Sequence, residues 1–97
     1  MTPLYRAGWV RADGSVRIGA SITATHPSSG RYRISITGTP IGRQLVPVVS
    51  PTTTNTIARI VSYLQNPDGS HVIDVEIRNT SGALTDNEFT FIAMEGL

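Results

Sequence analysis

Along the chain, apolar residues recur at every second position far more often than at every third or fourth. The clearest case is RYRISIT (31–37), where Tyr32, Ile34 and Ile36 fall on one side and Arg31, Arg33, Ser35 and Thr37 on the other. That period of two is the signature of a half-buried strand. HVIDVEIRN (71–79) repeats it, with Ile73, Val75 and Ile77 opposed to Val72, Asp74, Glu76 and Arg78. Further strands are predicted at Leu4–Val10, at Val16–Thr25 and at Glu88–Met94. Gly19 in the middle of the second of these implies a bulge or a break into two short strands. Leu45–Val49 contains Pro47, which cannot donate to a ladder, so it reads as an edge strand or an irregular extended segment. Ile57–Gln65 has apolar residues that also fit a helical spacing (Ile57, Ile60, Val61, Leu64). Its β-branched and aromatic content, with Asn66-Pro67-Asp68-Gly69 directly after it, favours a strand closed by a tight turn.

Turn chemistry separates these runs. Asp13-Gly14-Ser15 recurs as Asp68-Gly69-Ser70, and Ser-Gly occurs at 29–30 and 81–82. Asp bonds its own backbone and Gly accepts positive φ, so these are stop signals rather than an internal duplication. His26–Gly30, Gly38–Gln44 and Ser50–Thr56 read as loops. Seven to eight short strands punctuated in this way predict a single all-β domain over residues 1–97, an antiparallel β-sandwich of jelly-roll-like form.

The final strand departs from the half-buried pattern. Phe89, Phe91 and Ala93 form one face, and Thr90, Ile92 and Met94 the other, and both are largely apolar. Such a strand requires cover on both sides. The domain core supplies one cover, and another copy of the chain is the simplest second. Trp9, Tyr63, Phe89, Phe91, Ile92 and Met94 are therefore assigned to core or interface.

Composition narrows the classes. A chain of 97 residues buries a modest core, and without cysteine no disulfide supplements it. Self-association is the remaining common source of stability. Eight basic against seven acidic residues leave a net charge of +1, which is no footprint for nucleic acid. No apolar run reaches the roughly 20 residues that span a bilayer, so membrane insertion is not expected. The start MTPLYRAGWV has no charged segment leading into an apolar one, so no signal peptide is expected. All eight basic residues are Arg. Arg suits fixed bidentate ion pairs, although a GC-rich genome accounts for the bias equally well.

Candidate chemistry is sparse. Asp86 and Glu88 form a carboxylate pair able to bind a hard cation, yet nothing around them has calcium-loop spacing. The plainer role for Asp86 is to accept backbone N–H bonds and fix the hairpin before Phe89. Asp74 and Glu76 share a strand face beside Arg78. A glycosidase-like pair needs a cleft, so an ion-pair row with Arg33 or Arg59, solvated or between subunits, is the simpler reading. His26 and His71 are the only histidines, and no nucleophile elbow or cysteine accompanies them. No catalytic residue, cofactor or metal is assigned. Trp9, Tyr5, Tyr32 and Tyr63 can stack on sugars where exposed. Asn79-Thr80-Ser81 matches the glycosylation pattern, and the Thr-rich loop 52–56 reads as solvated.

Three pieces carry a resemblance: ADGSVRIGASITATHPSSGRYRISI (12–36), PVV (47–49) and VEIRNTSGALTDNEFTFIAM (75–94). In order and spacing the chain resembles the small C-terminal β-sandwich modules of phage tail fibres and of bacterial collagen-like fibre proteins, which are similar to C1q/TNF-type trimeric heads. The matching positions are Gly19, Ser29-Gly30-Arg31-Tyr32 and the run from Ser81 to Phe91. No Gly-X-Y stalk accompanies them, and 41–49 is richer in Gly and Pro than a regular strand. The resemblance implies a homotrimer that caps a fibre and attaches to a cell-surface glycan or protein receptor, located on a virion fibre or a bacterial surface. A monomeric carbohydrate-binding module is the alternative, and a small hydrolase using Asp74, Glu76 or His71 a second.

Overall fold

Eight strands form: β1 (Tyr5–Val10), β2 (Val16–Ile18), β3 (Ile22–Ser28), β4 (Arg31–Ile36), β5 (Leu45–Pro51), β6 (Thr56–Gln65), β7 (His71–Asn79) and β8 (Phe89–Glu95). The structure, a computed structural model, describes residues 5–40 and 42–96. Leu4 and Ile41, which the sequence places in the first strand and in the irregular segment before β5, lie outside the described residues. The strands make two four-stranded sheets, in the orders β2-β1-β8-β5 and β3-β4-β7-β6, with antiparallel pairing throughout. No helix among the described residues is long and apolar enough to cross a membrane.

The alternation decides which faces meet. From the first sheet Val10, Leu45, Phe89, Phe91 and Ala93 point inward. From the second come Tyr32, Ile34, Ile36, Ile73, Val75 and Ile77, and all eleven are buried. Fully burying one such aliphatic or aromatic side chain stabilises by roughly 1.5–3 kcal/mol. The layer is close enough that Gly8 on β1 must lack a side chain: a Cβ there would lie 2.5 Å from Ile22 Cδ1 and 2.7 Å from Phe91 Cε1.

The predicted turns form as their chemistry dictates. The Ser15, Ser70 and Ser81 amides donate to Asp13 Oδ1, Asp68 Oδ1 and Asn79 Oδ1 at 2.9, 2.9 and 3.0 Å. The break at Gly19 is real: β2 ends at Ile18, and β3, in the other sheet, begins after Ser21 at φ 60°. β6 is a strand over its full length.

Three expectations are corrected. His26–Ser28 is not loop but the end of β3, because β3 is an edge strand, where Pro27 need not donate, and its register shifts between Thr25 and Ser28. For the same reason Ser50 and Pro51 are not loop: β5 is the edge strand that Pro47 indicated, and it runs on to Pro51. The third concerns residues 79–88, which are not the turn of a hairpin. Both edges of β7 are already taken by β4 and β6, so the chain must cross to the other sheet before β8 can pair with β1 and β5. The crossover is pinned by a bridge between Arg78 and Leu84.

Candidate functional site

The crossover positions the first group. Asp86 does not fix a local turn. Its Oδ1 reaches back to the β3–β4 turn, accepting from the Gly30 amide at 2.8 Å and lying 2.8 Å from His26 Nε2. Gly30 has φ +69°, and a Cβ there would sit 2.7 Å from the Ile77 carbonyl oxygen and 2.9 Å from the Thr85 amide, so only glycine lets the two segments meet. The His26 ring stacks on Tyr32 at 4.5 Å, and Tyr32 meets Phe89 edge-on at 5.2 Å. The buried Tyr32 hydroxyl donates to the Ala12 carbonyl at 2.7 Å and accepts from the Asn87 amide at 3.1 Å. Burial raises its pKa. Glu88 diverges from Asp86 and accepts from Trp9 Nε1 at 3.1 Å. The two carboxylates thus serve different partners, and among the described residues no group of three or more His, Cys, Asp or Glu is placed to hold a metal ion.

The Gly30 hydrogen bond first, and His26 second, hold the Asp86 carboxyl below its ordinary value of 3.8. A carboxyl depressed in the folded state adds stability above its unfolded pKa and loses it as pH falls through the folded value. Asp86→Asn is therefore expected to melt lower than the parent at neutral pH, with the gap closing as the pH falls from about 3.8 through the lower folded-state value. Thermal melts across that range check it, and a gap independent of pH contradicts it.

The outward face of the β3-β4-β7-β6 sheet carries the second group. Arg33 Nε meets Asp74 Oδ1 at 2.8 Å, and the Ser62 hydroxyl donates to Asp74 Oδ2 at 2.9 Å. One register step along, Arg31 on β4, Glu76 on β7 and Arg59 on β6 lie directly across from one another. Glu76 Oε1 takes Arg78 Nε at 2.7 Å and Arg59 Nε at 3.3 Å, and Oε2 takes Arg31 Nη2 at 3.2 Å. Three guanidiniums cover Glu76, which is only 3% exposed. Arg78, and then its neighbours, hold that carboxyl below the ordinary range, and Arg33 does the same for Asp74. Arg59 and Arg78 were legible as partners from β7 and β6. Arg33 was named too, but Arg31, one step along the same face of β4, was not, because choosing between them requires the register of β4 on β7.

His71 is fully buried. Its Nδ1 lies 2.7 Å from the Tyr63 hydroxyl, whose oxygen accepts from the Leu45 amide at 3.1 Å, so the Tyr63 proton points to Nδ1. Burial lowers the His71 pKa. A neutral ring with no solvent access is core furniture for Tyr63, which itself packs half-buried against the core.

The third group is apolar. Among the described residues nine large hydrophobic side chains are exposed, and six of them (Tyr5, Ile18, Val46, Val48, Ile92 and Met94) share the outward face of the β2-β1-β8-β5 sheet. Register aligns them in rows: Val46–Met94–Tyr5, Val48–Ile92–Ala7, then Ser50–Thr90–Trp9–Ile18. Ile92 and Met94, on the central strand, are 51% and 53% exposed, while Phe89 and Phe91 on the same strand are buried. Trp9 closes one end, half-buried, with the Arg17 guanidinium 4.2 Å over its ring. Of the six, the sequence marks Tyr5 only as a ring able to stack on sugars and Val48 only within the PVV run, and it does not mark Ile18 or Val46. Their signal is the alternation within β1 and β5, which becomes a patch only once both strands flank β8.

Comparison of the chain with protein-family models, with curated proteins and with solved structures finds no match.

Proposed function

We propose that the chain is a structural or adhesive module that assembles as a homotrimer through the outward face of the β2-β1-β8-β5 sheet, in the manner of a fibre head. The observation that carries this reading is the apolar patch centred on Ile92 and Met94. Six side chains at half to two-thirds exposure amount to on the order of 600 Å², the upper end for a monomer surface. With a rim this approaches the roughly 800 Å² per partner of a standard specific interface. The rows of the patch contain no charged residue, whereas the opposite sheet is studded with ion pairs. The molecule is a rod of 43 × 22 × 21 Å, and three such rods around one axis each turn a single face inward. The pairing of β1 with β8 and of β4 with β7, strands distant in the chain, supports a jelly-roll-like reading of the sandwich.

The alternative, a monomeric carbohydrate-binding module, requires an open aromatic platform. Tyr32 is 1% exposed, Tyr63 faces the core and Trp9 is capped by Arg17, which leaves Tyr5 as the open ring. The deciding measurement is the absolute mass in solution, by light scattering behind a sizing column. Three chains of 10.4 kDa are expected. A mass of two chains would replace the three-fold by a two-fold contact, and a mass of one would overturn the assembly.

A further inference from the structure

On the sheet opposite the apolar patch, we infer that the three guanidiniums around Glu76 and the depression beside them form a site for an acidic sugar, its carboxylate on Arg59 and Arg78 and its ring against Ile57.

The charge balance is the first support. The outward face of this sheet holds Arg31, Arg33, Arg59 and Arg78 against Asp74 and Glu76, a balance of +2. The whole chain carries +1, so the positive charge is concentrated here. The neighbouring row shows what neutralisation alone needs: Asp74 is matched by one arginine and a serine. Glu76 has three arginines. The second and third add mutual repulsion that burying one carboxylate does not demand, and a second anion relieves it.

Geometry is the second support. Glu76 is bonded by the Nε edges of Arg59 and Arg78 and by one terminal nitrogen of Arg31. Arg78 is fixed again by Nη1, which donates to the Gly82 carbonyl at 2.7 Å. The guanidiniums are thus anchored from beneath while their side chains stay 41–66% exposed. A planar fork held in this way matches the two oxygens of a carboxylate.

The third support is a concavity of about 130 Å³ lined by Ile57, Arg59, Glu76, Arg78, Asn79, Thr80 and Gly82. It is small for a drug-sized ligand, and it suits the carboxylate end of one sugar unit. Ile57, 58% exposed, offers an apolar wall for ring carbons, and Thr80 and Asn79 lie where hydroxyls would reach.

This site does not depend on the assembly proposed above, because it occupies the other sheet, and its test reads local binding whatever the mass. The full chain is titrated with glucuronate at constant ionic strength, with amide shifts followed by NMR, and with glucose and inorganic sulfate as comparisons. Saturable millimolar shifts confined to residues around Ile57, Arg59, Arg78 and Thr80 are expected, with none from glucose. Arg59→Gln should weaken binding at least tenfold, and Arg33→Gln, on the same face but outside the triad, should leave it within twofold. Both variants should melt as the parent does. Absence of saturable shifts, or equal binding by Arg59→Gln, overturns the site. Sulfate binding as tightly as glucuronate overturns the sugar assignment.

Discussion

Ile92→Asp is expected to convert the proposed trimer into a folded monomer. Ile92 sits at the middle of the apolar patch, between Val48 on β5 and Ala7 on β1, and is half exposed in the isolated chain. Within the monomer its replacement removes no core contact, so stability should move by about 0.5 kcal/mol or less, plus a small loss of strand propensity. In an assembled face the same change sets an unpaired carboxylate against apolar side chains around the axis. Charge in that position costs several kcal/mol because no partner compensates it. The mass by light scattering should fall from three chains to one while the far-ultraviolet circular dichroism of a β protein is retained. Leu64→Asp is the matched control. Leu64 is 58% exposed but lies on β6 in the other sheet, so the mass should not change. If Ile92→Asp keeps the parental mass, the patch is not the contact. If both variants dissociate, net charge rather than the patch is responsible.

What the chain states plainly about itself is local. Strict alternation in 31–36 and 71–79 sets which side chains face the core, and the Asp-Gly-Ser and Asn-Thr-Ser-Gly runs form the turns they promise. The two apolar faces of β8 were visible too, since Phe89, Phe91 and Ala93 alternate with Ile92 and Met94. What was not legible is which strand lies beside which. A strand predicted to close a hairpin with β7 pairs with β1 and β5, because hydrogen-bonding edges are allotted across the whole sheet and not between sequence neighbours. Each unanticipated contact follows from that. Asp86 serves Gly30 and His26 and not its own turn. Arg31 is the third cation on Glu76. Val46 and Val48, modest in the sequence, extend the face of Ile92 and Met94. Pro47 marked an edge strand, as found, whereas Pro27 and Pro51 read as loop and instead occupy edge strands, where the missing N–H is harmless.

Phe91→Ala separates folding from assembly on the same strand. Phe91 is 2% exposed, on a strand flanked by β1 and β5. Its ring fills the space above Gly8, where even a methyl group would come within 2.7 Å. Deleting that ring removes its transfer free energy and leaves a cavity that rigid neighbouring strands cannot close, at a cost of about 3–5 kcal/mol. For a domain of this size that lowers the melting temperature on the order of 20 °C at fixed chain concentration. The site also predicts its own coupling. Gly8→Ala in the parent drives a Cβ against both Ile22 and Phe91 and should destabilise by about 1–3 kcal/mol. In the Phe91→Ala background one of those two clashes is gone and the new methyl occupies part of the cavity. The double variant should therefore be more stable than the sum of the singles by about 1 kcal/mol. Denaturant melts of the four proteins measure this directly. Strict additivity would mean that the Phe91 ring does not press on Gly8, and a near-neutral Phe91→Ala would place the inward face of β8 outside the core.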